Sequence, residues 1–371
     1  MNSLNSRICI VLFLSAWALG CGKDNKTHGI NDSGSDADID AGTPACHDLW
    51  EKVGDLPEGF YVTSAWGSGP KDLFAVATDD YNWSILYYDG SEWTPMDLGT
   101  VEGKVEFAAI WGASSSDVFM VGSLSESHRG FISHYDGSDW TIMDTGIEFS
   151  LSHWDWADTP IWGSASNDVF VVAGGGTVLH YNGDTWSLMD SGIDNDLITV
   201  WGTASNDVFA GGFYVENNSG VLFHYDGQHW KSMDNIEMDM GFGIAAVLDI
   251  WASSSNDIYA RVLTDIDGGI AYLHYDGRRW TFAFICDDLS FENDVWGTGS
   301  SNVYALCTST PSNSDEIDTV FHFDGTISAL ICTNGSEYLD SMYFYLIYGT
   351  SENDVFYFSS NAVYHSNGYS Q

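Results

Sequence analysis

From residue 46 onward the chain alternates short apolar runs with Gly-, Asp- and Asn-rich turns, and the runs recur in sets of four. One set reads NDVFVVAGGGTVLHYNGDTW, Asn167 to Trp186. Within it Val169-Phe170-Val171-Val172 is apolar at every position, the pattern of a strand covered on both faces. A Gly-rich turn, an H-Y strand, an N-G turn and a W-x-x-M strand follow, so the set predicts antiparallel strands joined by tight turns.

Trp66, Trp111, Trp162, Trp201, Trp251 and Trp296 each open such a phrase, five followed by Gly and one by Ala252, and Tyr348-Gly349 opens a seventh. The second strands read KDLFAVA, SDVFMVG, NDVFVVA, NDVFAGG, NDIYARV, SNVYALC and NDVFYFS. Four strands per phrase at intervals of 39 to 52 residues predict an all-β seven-bladed β-propeller, because a lone four-stranded blade cannot bury both faces and must stack on its neighbours. The ends choose the ring over an open solenoid. The seventh phrase stops at NGYSQ, short of its fourth strand, while Trp50 to Val53 supplies a strand of the missing type. Pairing the N-terminal strand with the C-terminal blade leaves no open edge. The predicted domain is 46–371.

The leading residues change the picture of where this domain works. Residues 1–20 read as an export signal, with Arg7 before the apolar ICIVLFL, a run too short to span a bilayer. LSAWALGC resembles a bacterial lipobox, which implies cleavage before Cys21 and a lipid on that cysteine; Ala16-Trp17-Ala18 is an alternative cleavage site that would leave a soluble periplasmic or secreted protein. Residues 21–45 form the anchor and a polar tether, which as a flexible coil would reach about 25 to 30 Å. Its DADIDAG stretch lacks the Gly position and terminal Glu of a calcium loop. With its W-G-S-S-x-x-D-V-F and H-Y-D-G-x-x-W phrases, the chain resembles a group of exported bacterial lipoproteins, commonly of unknown function. That likeness implies a propeller tethered at the outer membrane or cell surface, and no activity.

Charge excludes one class of partner. With 53 acidic and 11 basic residues, a net charge of −42, the chain has almost no cations with which to displace counterions from DNA or RNA. Metal and cofactor sites are also not expected. The repeated histidines His134, His180, His224, His274, His322 and His365 belong to different blades and cannot converge on a zinc ion with bonds of about 2.0 to 2.1 Å; they read as hydrogen-bonding groups within each blade. Asp residues before the second strands and in the D-G turns read as turn chemistry. Of four cysteines beyond Cys9 and Cys21, a disulfide is expected among Cys286, Cys307 and Cys332 rather than with Cys46.

Strand alternation sends the first-to-second and third-to-fourth turns to one face, where they are monotonous, and the remaining connections to the other, where they vary. Setting aside the repeated tryptophans and Trp17 leaves Trp83, Trp154 and Trp156, all on the variable face. Trp154 and Trp156 sit in HWDWAD with His153, Asp155 and Asp158; indoles beside carboxylates suit a sugar ring or a cationic group. The same indoles could instead plug the loop onto blades 2 and 3. No catalytic residue is assigned, since no nucleophile elbow, zinc-protease motif or phosphate loop occurs. The sequence therefore predicts a monomeric, non-enzymatic, membrane-tethered binding module for a protein or glycan. The alternatives are a hydrolase or lyase with an acidic site in the central channel, and a purely structural envelope protein.

Overall fold

The computed structural model describes residues 50–366 except 80, 100, 102, 153–158, 215–218, 234–242, 266–268, 287–293, 310–316, 325–327, 335–343, 353 and 360–361. Of residues 284–286, 308–309, 317–319, 328–334 and 344–345 it describes the backbone alone. The signal, Cys21, the tether and the HWDWAD insert lie outside the described residues.

Seven antiparallel sheets of four strands make an all-β propeller. Blades 1 to 6 occupy 61–96, 105–142, 161–188, 196–232, 244–286 and 295–334, each with its strands in sequence order. Blade 7 takes three strands from 344–366 and its outermost from Trp50–Asp55, with Trp50 opposite Ser366 and Lys52 opposite Tyr364. First strands of successive blades touch all the way round, including blade 7 against blade 1. The expected closure is therefore present.

Second strands are the most deeply buried, as their unbroken apolar runs require. Phe74, Phe119, Phe170, Phe209 and Phe356 are at most 1% exposed and fill the gaps between sheets. In blades 2 to 5 the fourth strand opens with a buried Trp that lies against a third-strand Tyr, as Trp140 does on Tyr135 at 5.3 Å and Trp186 on Tyr181 at 5.2 Å.

The Trp-Gly dipeptide explains how neighbouring first strands lock. A methyl group placed on Gly112 would sit 2.7 Å from the ring of Trp66, on Gly163 2.6 Å from Trp111, on Gly202 2.5 Å from Trp162 and on Gly349 2.2 Å from Trp296. Each indole thus lies on the glycine of the next blade. Two links differ. Where Ala252 replaces glycine, Trp201 donates its indole N–H to the Ala252 carbonyl at 3.0 Å; and the Tyr348 hydroxyl closes the circle on blade 1, donating to the Gly67 carbonyl (3.2 Å) and accepting from its N–H (3.0 Å). After every one of these dipeptides the register slips by a bulge, from Gly67/Gly69 in blade 1 to Gly349/Ser351 in blade 7. Gly202→Ala is expected to cost about 1–3 kcal/mol by overpacking, read as a lower urea midpoint with unchanged slope; an unchanged midpoint would show that the indole is not seated there.

Candidate functional site

One face of the ring is fixed by hydrogen bonds repeated from blade to blade. In the third-to-fourth turns the Asp or Asn side chain accepts from the two N–H groups that follow: Asp136 from Ser138 and Asp139, Asn182 from Asp184 and Thr185, Asp226 from Gln228 and His229, Asp276 from Arg278 and Arg279. These bonds hold the Asp136 and Asp276 carboxyls below the usual range. The repeated histidines and the Asp residues before the second strands turn out to be partners. His134 meets Asp117 at 2.6 Å, His180 Asp168 at 2.7 Å, His224 Asp207 at 2.6 Å, His274 Asp257 at 2.7 Å and His365 Asp354 at 3.1 Å. These Asp residues thus do more than turn chemistry. Blade 1 substitutes the Tyr87 hydroxyl, donated to Asp72 at 2.9 Å, and blade 6 pairs His322 with Asn302 at 2.8 Å.

Ser164, Thr203, Ser253 and Ser351 donate to the same carboxylates. Ser, Asp and His are the residue types of a hydrolase triad, but here Asp stands between the other two. Among the described residues no imidazole adjoins the hydroxyl to take its proton; the bonds tie the first three strands of the blade together.

The opposite face carries the irregular connections. In blade 1, Asp79 accepts from the N–H groups of Tyr81 (3.0 Å) and Asn82 (2.6 Å), and the Asn82 side chain is the main cause of its lowered pKa. The turn holds Tyr81 outward, 74% exposed. Trp83, one of the expected binding residues, begins the next strand half-buried, its ring edge-on to Phe107 of blade 2 at 6.2 Å. His153, Trp154, Asp155, Trp156 and Asp158 fall outside the described residues, but both flanks of their insert are anchored. On one side Phe149 and Leu151 are buried between blades 2 and 3, and Gly130 N–H donates to the Phe149 carbonyl at 2.8 Å. On the other, Thr159 reaches the axis of the ring.

There the first strands enclose a cavity of about 530 Å³. Trp66, Trp111, Trp162, Trp201, Trp296 and Tyr348 form a collar, and Thr159, Asp249 and Asp294 contribute the distinctive polar groups. The Thr159 hydroxyl bonds to Thr199 (2.7 Å) and donates to Asp249 (3.1 Å). Asp249 also accepts from Ile250 N–H at 2.9 Å, and Asp294 from Val295 N–H (2.9 Å) and Ile347 N–H (3.1 Å). Behind Asp249, away from the axis, its register partner Arg261 is 1% exposed, and the partner of Arg261 in turn is Tyr272, wholly buried, whose hydroxyl donates to the Leu306 carbonyl at 2.6 Å.

Burial, then the neighbouring Asp249 charge and the hydrogen bond to it, push the Asp294 carboxyl well above its ordinary range, against the opposing pull of Arg261 and Ile347 N–H. Folding therefore favours the protonated form. Stability from this group is fully present below an unfolded pKa of about 4 and is lost as pH rises through the raised folded value. Asp294→Asn should flatten that slope: relative to wild type its melting temperature is expected to rise from acidic toward alkaline pH. Parallel curves across that range would refute the assignment.

Sequence reasoning passed over this cluster because Asp249 and Asp294 were two acids among 53. The signal was a break in the repeat. Where blade 5 has Arg261 the other blades have Val76, Val121, Val172, Gly211, Leu306 and Phe358, and where it has Tyr272 they have Ile85, Ile132, Val178, Leu222, Val320 and Val363. Of the cysteines, Cys307 is held in a disulfide; Cys46, Cys286 and Cys332 lie outside the described side chains.

Fold and site together define a closed seven-bladed β-propeller with an aromatic, carboxylate-bearing axial cavity and one irregular face. No protein-family model matches the sequence, and no curated protein matches it either. Among solved structures, YCF48 bound to D1 peptide superposes with a TM-score of 0.58 at 14% identity over 87% of this chain and 97% of that one. YCF48 from Cyanidioschyzon merolae gives 0.54 at 12% identity, covering 86% and 98%. The WD40 β-propeller domain of Doa1 gives 0.52 at 12%, also covering 86% and 98%. At such identities the likeness is one of fold.

Proposed function

We propose that this chain is an exported, lipid-tethered, non-enzymatic binding module that takes a protein segment on its irregular face. The observation that carries the reading is the asymmetry between faces: one is closed by hydrogen bonds repeated in nearly every blade, while the other holds every insertion. Length and sequence vary freely only where packing does not set them, and that is where repeat proteins place ligands. Trp154, Trp156, His153, Asp155, Asp158 and Trp83 are the proposed contacts, with Tyr81 added as a rigidly presented aromatic. A protein partner is preferred to a glycan because the similar YCF48 propeller has been seen with a bound peptide.

The described ring begins at Trp50, opposite Ser366 at the turn-face end of its strand. The chain therefore enters the ring at the turn face, and a lipid on Cys21 would hold the protein at an outer-membrane or cell-surface location. The hydrolase or lyase alternative is disfavoured by the channel carboxylates themselves, whose oxygens are committed to backbone N–H groups and Thr159.

Photo-crosslinking side chains at Tyr81 and, as control, at Gln228 on the turn face test the reading in the native envelope. Protein adducts are expected from Tyr81 alone and should disappear in Trp154→Ala/Trp156→Ala. Equal adducts from both faces, or adducts indifferent to the double substitution, would reject it. Labelled palmitate should enter the wild type and not Cys21→Ala.

A further inference from the structure

We propose that the axial cavity is a separate binding site for a small organic ammonium ion, held by the charge of Asp249 and Asp294 and by the aromatic collar around them. Three observations lead there. First, the cavity of about 530 Å³ is walled by five indoles and a phenol, a lining that favours organic cations through the negative ring faces. Second, among the described residues its wall carries two carboxylates and no cationic side chain. Arg261, the one buried Lys or Arg among the described residues, stands behind Asp249 on the next strand and balances at most one of the two negative charges. A chain of net charge −42 deepens the negative potential inside such a low-dielectric recess.

Third, the oxygens are engaged in a way that leaves charge but not coordination sites. Thr159 and the N–H groups of Ile250, Val295 and Ile347 already donate to the pair. A calcium ion needs six to eight oxygen ligands at about 2.3–2.6 Å, and among the described residues no cluster of three His, Cys, Asp or Glu groups exists to supply them. An alkylammonium ion needs only a counter-charge and contact surface, both present here.

The cation and the proton on the Asp294 carboxyl compete. Among the described residues the groups facing the pair are Arg261 and Tyr272 from blade 5, the uncharged Thr199 from blade 4 and Thr159 just before blade 3, and the Ile347 backbone from blade 7. Binding is therefore expected to release a proton and to strengthen as pH rises.

Choline chloride titrated into the mature chain, followed by tryptophan fluorescence and by calorimetry in buffers of different ionisation enthalpy, tests this. Saturable binding is expected, tighter at pH 8 than at pH 6 by no more than about tenfold per pH unit, the limit when one proton and one cation compete. The neutral isostere 3,3-dimethylbutan-1-ol should bind at least tenfold more weakly, and calcium chloride should not compete. Asp249→Asn should lose choline affinity. Should that variant fail to fold, proton release by the wild type carries the test. Trp154→Ala/Trp156→Ala should bind choline normally, which separates this site from the irregular face. No saturable binding, equal affinity for the alcohol, an absence of proton release, or displacement by calcium would each overturn the proposal.

Discussion

Arg261→Leu is expected to destabilise the protein by about 3–5 kcal/mol, because it removes the cation beside buried Asp249 and its neighbour Asp294 and leaves their charge uncompensated. The size of the loss should depend on pH in a definite direction. In acid, where Asp294 is protonated, only Asp249 feels the missing guanidinium; toward alkaline pH both carboxylates do, and the deficit grows. Asp249→Asn in the same chain should recover part of it. Urea unfolding across a series from acidic to alkaline pH would measure both effects. A deficit below about 1 kcal/mol, the range of an exposed ion pair, would mean that Arg261 is not the counter-charge its position implies.

Trp50→Ala should be comparably costly, about 3–5 kcal/mol for truncating a buried aromatic. Trp50 is 4% exposed, lies edge-on to Tyr357 at 4.6 Å, and packs in one cluster with Trp296, Ile347 and Tyr364 of the last two blades. Among the described residues its strand alone joins the N-terminal part of the domain to blade 7 by a ladder. Loosening it would expose the edge of Ala362–Ser366, and an unpaired edge recruits other chains. The expected signature is a lower melting temperature together with concentration-dependent association in light scattering. A variant that melted like the wild type and showed no association beyond it would argue against closure by this strand.

The ring was legible from sequence because its causes are local and recur. The second strands are apolar throughout, the D-G and N-G turns take the same Asx geometry each time, and the truncated last phrase matched the extra first strand. The histidines were legible as within-blade hydrogen-bonding groups for the same reason. Their partners were less so, since an Asp preceding a strand has the same composition whether it caps a turn or receives an imidazole. The seating of Trp66 on Gly112 or of Trp162 on Gly202 required knowledge of how consecutive blades stagger, which no single phrase contains. The axial cluster was hidden differently. Asp249 and Asp294 precede their tryptophans at the same offset as Ser64, Ala109 and Thr199, and only side-by-side comparison of the phrases makes blade 5 stand out. The irregular face yielded residue types but not geometry, because insertions such as HWDWAD have no second copy in the chain to compare with.

Closure by a borrowed strand also bears on how such a chain could change size. Since the seam is offset from the phrase boundary, duplication or deletion of one whole phrase in the gene would leave the first strand and the final three unaltered. Ancestors or engineered descendants with six or eight units could therefore still meet end to end, each curving at a slightly different angle, without an orphaned strand at either terminus. The out-of-phase junction thereby makes unit number a variable that recombination can explore.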